Sequence, residues 1–297
     1  MAIIQGKLMN ENPLVKCIFC QGKQVVKKGF RTTENRGRIQ RYICRSCQRS
    51  FCNDGGFWRM RNSEAKITAG IDLYFSNLSS RKVRNHFRRH WQHNASHVSI
   101  LDWCRRYTLK IQKYVNTLNP ALGEKFYADE TIIDRKGKED WFWCNVDWET
   151  RFISGFHYST DRGLDEAIEF LDKATSKKLP NYIQTDGALF YPSAMKKLFS
   201  NWRYRGKKVE HRINNVQVTG KHNVRIETVF SKIKDRVNDF RGLKALWSAP
   251  ILMAGIVIQH NYIEAHTTTG KIPAELAGLK LETGQNRWLG LIKLTTF

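Results

Sequence analysis

The chain has 297 residues, 41% hydrophobic and 12% aromatic, which excludes a disordered composition and allows more than one domain. Its net charge of +23 is uneven: residues 1–120 hold 23 basic and 6 acidic side chains, a balance of +17, which leaves +6 for residues 121–297. A nucleic-acid partner is therefore expected for the N-terminal part. No stretch reaches the ~18 apolar residues that span a bilayer, since Ile251 to Ile258 is short and follows Pro250. Met1 to Asn10 lacks a secretory pattern, so the expectation is a cytoplasmic chain with reduced thiols and no membrane partner.

Two C-x2-C pairs open the chain: Cys17 with Cys20, and Cys44 with Cys47. Each pair can wrap one turn around a metal, and four thiolates complete a tetrahedral Zn2+ site. Short strands from Gln24 to Gly29 and Ile39 to Ile43 flank a turn at Gly37, which predicts a zinc ribbon over 14–56 with one structural Zn2+. So small a segment has little core, so metal binding is expected to supply most of its folding free energy. Cys52, Cys104 and Cys144 are expected as packed thiols. Asn53-Asp54-Gly55-Gly56 reads as a linker.

An all-α module over 60–118 follows. Ile67, Ile71, Tyr74, Phe75 and Leu78 recur at helical spacing. Ser79 or Ser80 can cap a second helix carrying Val83 and Phe87, and Ser96 a third that runs from Val98 to Val115. The order matches a helix-turn-helix, with a connection from Arg89 to Ala95 longer than the usual tight turn. Arg81, Lys82, Arg84 and Arg88 on the middle helix, and Arg105, Arg106 and Lys110 on the last, are the expected DNA contacts. They would neutralise phosphates while the last helix reads a major groove.

Past Asn119-Pro120, the segments Phe126 to Asp129, Trp141 to Val146 and Arg151 to Tyr158 predict three antiparallel strands, punctuated at Gly137 and Glu149-Thr150. Leu164, Ala167, Ile168, Leu171 and Ala174 predict a helix leading into a strand from Tyr182 to Thr185. The following Asp186-Gly187 has the composition of a hairpin turn. Pro192 denies the next segment a central-strand role, and Phe190, Ala194 and Leu198 repeat at helical spacing. The expectation is therefore strand, Asp-Gly, helix, with Asp186 at a strand's carboxyl end, where α/β sheets place ligands. Asp129 ends another apolar run. Ile226, Phe230, Ile233 and Val237 form a buried stripe bordered by Glu227, and Lys234 shares the face of Glu227 nearly two turns on. Asp147 is expected in a turn, Asp134 at a strand exit and Asp161 as a helix cap. His211 and His222 are left outside the site.

Asp129 in YADET, Asp186 in QTDG and Glu227 in RIETVFSKIK, with Lys234 seven residues on, resemble the DDE triad of insertion-sequence transposases. The segment HNYIEAHTTTGKIPAELAGL, from His260 to Leu279, is similar to the tail of such enzymes. The resemblance covers about 14–280, and the aromatic stretch Trp141 to Trp148 departs from it. It implies an α/β, RNase H-like mixed-sheet catalytic domain over 122–270, followed by a C-terminal tail, 271–297. It further implies two Mg2+ or Mn2+ ions per active site on Asp129, Asp186 and Glu227, with Lys234 orienting a phosphate. The implied partners are double-stranded DNA, as element ends and as target, and a second copy of the chain in a homodimer or larger assembly on DNA. The implied reaction is strand cleavage followed by attack of a 3′-OH on target DNA. A domesticated DNA-binding protein and a metal-dependent nuclease of the same fold remain the alternatives.

Overall fold

The computed structural model describes residues 15–33, 37–52, 55–57, 59–91, 95–200, 207–214, 224–239 and 243–296. Asn53, Asp54 and His222 lie outside them. The chain forms two compact units, residues 1–64 with 292–297, and residues 65–291.

In the first unit, β1 (Val25–Thr33), β2 (Gly37–Cys44) and β3 (Ser50–Cys52) form an antiparallel sheet in sequence order. The two ribbon strands match the expected positions, and β3 is an addition too short for periodicity to reveal. The core is small: Cys17, Cys44 and Phe51, packed by Val15, Val25, Tyr42 and Cys47.

The second unit opens with α1 (Glu64–Phe75), α2 (Ser80–His90) and α3 (His97–Val115). Ser79 caps α2 by accepting from the Lys82 N–H, and Ser96 caps α3 by accepting from the Ser99 N–H at 3.1 Å. The strands β4 (Lys125–Arg135), β5 (Lys138–Asp147), β6 (Ile153–Ser159), β7 (Tyr182–Thr185) and β8 (Glu210–Ile213) form a mixed sheet in the order β6-β5-β4-β7-β8. Lys136 and Gly137, both at positive φ (56° and 74°), close the β4–β5 hairpin between paired Arg135 and Lys138. Asp134 lies inside β4 and accepts from the Gly137 N–H at 2.8 Å. Helix α4 (Leu164–Thr175) packs on β5 and β6, and α5 (Phe190–Phe199) packs on α4. Gly155 lets α4 approach, since a Cβ there would lie 2.4 Å from the Ala174 Cα.

Asp147 is not a turn residue but the last residue of β5, paired with Phe126; it is fully buried and anchors the turn that follows, accepting from the N–H groups of Gly123 (3.0 Å) and Thr150 (3.2 Å). Asp161 is not the cap of α4. Gly163 holds that position without a side-chain bond, and Asp161 instead accepts from Thr160 Oγ1.

Helix α6 (Val224–Asp239) lies against β4 and β5. Helix α7 (Ala249–Ile258) continues into a π-helical turn, Gln259–Ile263. It is buried on nearly every side and packs on α3 and β6. The helical module and the sheet therefore form one compact unit rather than two separate bodies. Nor is the C-terminal segment a detached tail. After α8 (Pro273–Leu276), Trp288 at the start of α9 (Arg287–Leu294) is buried, stacks on Phe75 at 5.4 Å and donates to Gln259 Oε1. Within the HNYIEAH segment, Asn261 donates to the Ile153 carbonyl and accepts from the Ile153 N–H, both at 2.9 Å. His260 meets the Arg151 carbonyl through Nε2 at 2.9 Å.

Gly255 on α7 faces Phe75, and a Cβ there would lie 2.1 Å from the ring. Gly255→Ala is expected to destabilise the protein by about 1–3 kcal/mol through overpacking. Denaturant unfolding followed by tryptophan fluorescence checks this.

Candidate active site and metal centres

Asp129 and Asp186 meet because of strand register. β4 and β7 run parallel, with Phe126 opposite Ile183 and Tyr127 opposite Gln184. Continued by two residues, that register puts Asp186, just past the end of β7, beside Asp129 in mid-β4. The segment after Asp186 turns into α5, as Pro192 and the helical spacing predict. Asp186 Oδ1 accepts from the Ala188 N–H at 3.0 Å, which fixes the carboxylate at the turn. Asp129 Oδ1 accepts from the Glu130 N–H at 2.9 Å.

Asp129, Glu130 and Asp186 bring carboxylate oxygens within 4.8 Å of one another. Burial raises the Asp129 carboxyl to about 7, reinforced by the negative charges of Glu130, Asp186 and Glu227. Glu130 is also raised, chiefly by burial, with Tyr191 and Arg162 opposing. Tyr191 Oη donates to Glu130 Oε2 at 2.6 Å, while Arg162 donates to Oε1 from Nε (2.9 Å) and Nη2 (2.6 Å). Three such oxygen donors suit Mg2+ or Mn2+, hard cations that relieve like-charge crowding.

Glu227 stands on the exposed face of α6, outside the 4.8 Å group but near enough for its charge to act on Asp129. Lys234 is exposed on the same helix, while Ile226, Phe230, Ile233 and Val237 are buried as expected. Sequence reasoning missed Glu130. Its one signal was position, a second acid directly following Asp129.

In the first unit, Cys17, Cys20, Cys44 and Cys47 bring all four sulfurs within 4.8 Å. The Cys17–Cys47 and Cys20–Cys44 Sγ pairs are each 3.6 Å apart. A tetrahedral Zn2+ with ~2.3 Å bonds needs sulfurs about 3.8 Å apart, so the donors fit that ion. Gln21 and Gln48, each following the second cysteine of its pair, take the left-handed conformation (φ 60° and 57°), so the two knuckles turn alike. The Cys47 N–H lowers the Cys44 thiol to about 6. Cys52, Cys104 and Cys144 are packed and buried.

Of the basic side chains proposed to meet DNA, Arg81, Lys82, Arg88 and Arg106 are exposed and Arg84 and Lys110 partly so. Arg84 donates to Asn85 Oδ1, and Lys110 sits over the Tyr107 ring at 5.5 Å. Arg105 is tied into the fold: Nε donates to Ser248 Oγ at 2.7 Å and its guanidinium covers Trp247 at 4.6 Å.

Asp129 has a folded pKa above its ordinary 3.8, so its ionised form destabilises the metal-free fold. The penalty is absent below about pH 4, grows as pH rises and is complete above about pH 7. Without metal, Asp129→Asn is therefore expected to stabilise the protein at pH 8 by on the order of 3 kcal/mol, with the gain shrinking towards pH 4. Mg2+ should raise the melting temperature of the unsubstituted chain more at pH 8 than at pH 6, because protons compete. Thermal unfolding with EDTA or Mg2+ at each pH measures both. Separately, stripping Zn2+, or Cys44→Ser, is expected to unfold the three-stranded sheet while sparing the second unit. Amide hydrogen exchange over residues 15–52 reads that loss.

Residues 123–266 match a family model described as a DDE domain. No curated protein matches the sequence. The fold is similar to a simian T-cell lymphotropic virus intasome in complex with PP2A regulatory subunit B56 gamma, at 15% identity and a TM-score of 0.38, over 64% of this chain and 67% of that one. It is also similar to the HTLV-2 integrase catalytic core domain in complex with magnesium. The dimeric form aligns at 13% identity and a TM-score of 0.40, over 54% of this chain and 99% of that one. The trimeric form aligns at 15% and 0.36, over 53% and 98%. The DDE match spans the strand that carries Asp129, the turn that carries Asp186 and the helix that carries Glu227, so residues 123–266 are a DDE domain of the transposase type, which implies metal-dependent phosphoryl transfer on DNA.

Proposed function

We propose that Asp129, Asp186 and Glu227 are the three metal-holding carboxylates of this transposase, serving two Mg2+ or Mn2+ ions. The observation that carries this reading is the meeting of Asp129, in mid-β4, with Asp186, just past the end of the parallel β7, where burial and like charge disfavour the Asp129 anion. Bound metal would supply an activated oxygen nucleophile and stabilisation of the leaving oxygen. Asp129, raised to about 7, would have to give up its proton to hold a cation near neutral pH. Asp186 is presented by its turn at the mouth of the sheet. Glu227 comes from α6, outside the tight group, and would be the third carboxylate to hold metal. Lys234, on the same exposed face, meets a strand phosphate. Water then cleaves the element end to leave a 3′-OH, and that hydroxyl attacks a target phosphate, so that one phosphodiester forms as another breaks.

The three strands of the first unit, with Cys17, Cys20, Cys44 and Cys47, are the structural zinc ribbon. Together with α2 and α3 it recognises element ends, and a homodimer or larger assembly on DNA holds two ends for joining. The reading divides the chain into the ribbon (14–56), the helix-turn-helix (60–118), the catalytic region (122–270) and a C-terminal segment (271–297).

The test joins labelled duplexes, taken from the DNA flanking the gene, to a plasmid in Mg2+. Asp129→Ala, Asp186→Ala and Glu227→Ala are each expected to abolish cleavage and joining while leaving duplex binding within about twofold, as for groups that act on bound DNA. Lys234→Ala should flatten the salt dependence of binding by about 0.9 in log–log slope, the loss of one phosphate contact. Joining that survives Asp129→Ala or Asp186→Ala would sink the assignment, and cleavage without joining would make the enzyme a nuclease.

A further inference from the structure

Glu130 is nearly buried, 9% exposed, beside the two aspartates, and both of its oxygens are engaged. Tyr191 holds Oε2 and Arg162 holds Oε1. A counter-ion would suffice to neutralise it, yet Arg162 is held far more tightly than neutralisation needs. It comes from the loop between β6 and α4, and its guanidinium carbon lies 4.7 Å from the Trp141 ring centroid and 5.2 Å from that of Phe190. Trp141 belongs to β5, and Phe190 opens α5 directly after the Asp186 turn. Three elements thus fix one plane, and one edge of that plane, Nε with Nη2, is spent on Glu130. Among the described residues Nη1 has no hydrogen-bond partner, and the side chain is 40% exposed.

We infer that Arg162 is a phosphate-binding residue at the rim of the carboxylate site, its outer edge aimed at a DNA phosphate and its orientation set by Glu130, Trp141 and Phe190. The inference rests on the reading of Asp129 and Asp186 as the reacting centre. A strand delivered to three clustered carboxylates brings more negative charge, and a guanidinium already held in place meets it without ordering cost. Lysine cannot substitute: it lacks the planar fork and the stacking surface. Glu130 is then a positioning residue that holds the arginine. Trp141, outside the pattern of the resembling enzymes, gains a purpose as one wall of the slot.

The experiment uses the zinc-loaded full chain and a 30-base-pair duplex from the DNA flanking the gene. Arg162→Lys keeps a charge beside Glu130, and the double variant Glu130→Gln/Arg162→Gln leaves no buried charge unpaired. Arg162→Lys should lower kcat/KM for Mg2+-dependent cleavage by about tenfold, the worth of one charge-assisted hydrogen bond, at an unchanged half-saturating Mg2+ concentration. The double variant should lose about 0.9 from the log–log salt slope of binding at an unchanged melting temperature. Glu130→Gln alone should keep the parent's slope, because Arg162 is still present, and lower kcat. Parental kinetics in Arg162→Lys, or a parental slope in the double variant, would reduce Arg162 to a structural counter-ion. If the unsubstituted chain does not cleave in Mg2+, the carboxylate reading fails, while the salt slope still decides whether Arg162 meets phosphate.

Discussion

Two aspartates stand side by side because β4 and β7 run parallel in a register that places Tyr127 opposite Gln184, and neighbouring strands are about 4.8 Å apart. Much of the surrounding structure answers the cost of that pairing. Both strands lie inside a sheet whose β5 neighbour is buried along most of its length, so Asp129 loses solvent as well as gaining a like charge. The fold neutralises Glu130 from within, through Tyr191 and Arg162. Among the described residues it offers Asp129 only the Glu130 N–H, so protonation or a cation would do the rest. A cation would relieve the crowding of these carboxylates, and the sheet supplies the rigidity that maintains it.

The first unit meets a different deficit by the same means. Its sheet has three strands and a core of a few side chains, too little apolar burial to set against the entropy of ordering the segment. Four converging sulfurs replace that core. In one unit a cation would complete the fold; in the other it would complete the chemistry. The donors differ accordingly, thiolates for a soft, closed site and carboxylates for a hard, open one.

The sequence made some of this legible through punctuation. Pro192 and the spacing of Phe190, Ala194 and Leu198 were enough to turn an apparent hairpin into strand, Asp-Gly, helix. The paired C-x2-C spacing located the sulfur cluster. Glu130 was hidden because neighbouring strand residues point to opposite faces, which directs attention to Asp129 alone. Its partners, Arg162 and Tyr191, are 32 and 61 residues away and connected only by folding. Within the aromatic stretch Trp141 to Trp148, Trp143 is core, between Phe170 and Tyr191, while Trp141 holds an arginine at the surface. The joining of α1–α3 to the catalytic sheet was equally hidden, since α7 is buried on nearly every side and carries no periodic stripe to say what it touches. Asp161 had the right composition for a cap, but the cap position of α4 falls two residues later, at Gly163.

The side chain of Asn261 imitates a strand. Its amide donates to and accepts from Ile153, the first residue of β6, just as a sixth strand would begin to pair. β6 is an outer strand of the sheet, and an unpaired outer strand is a template for aggregation. Where the edge starts, the template is already taken, and α4 crowds against Gly155 two residues on. Blocking this edge would help keep copies of the chain from associating with one another through backbone pairing.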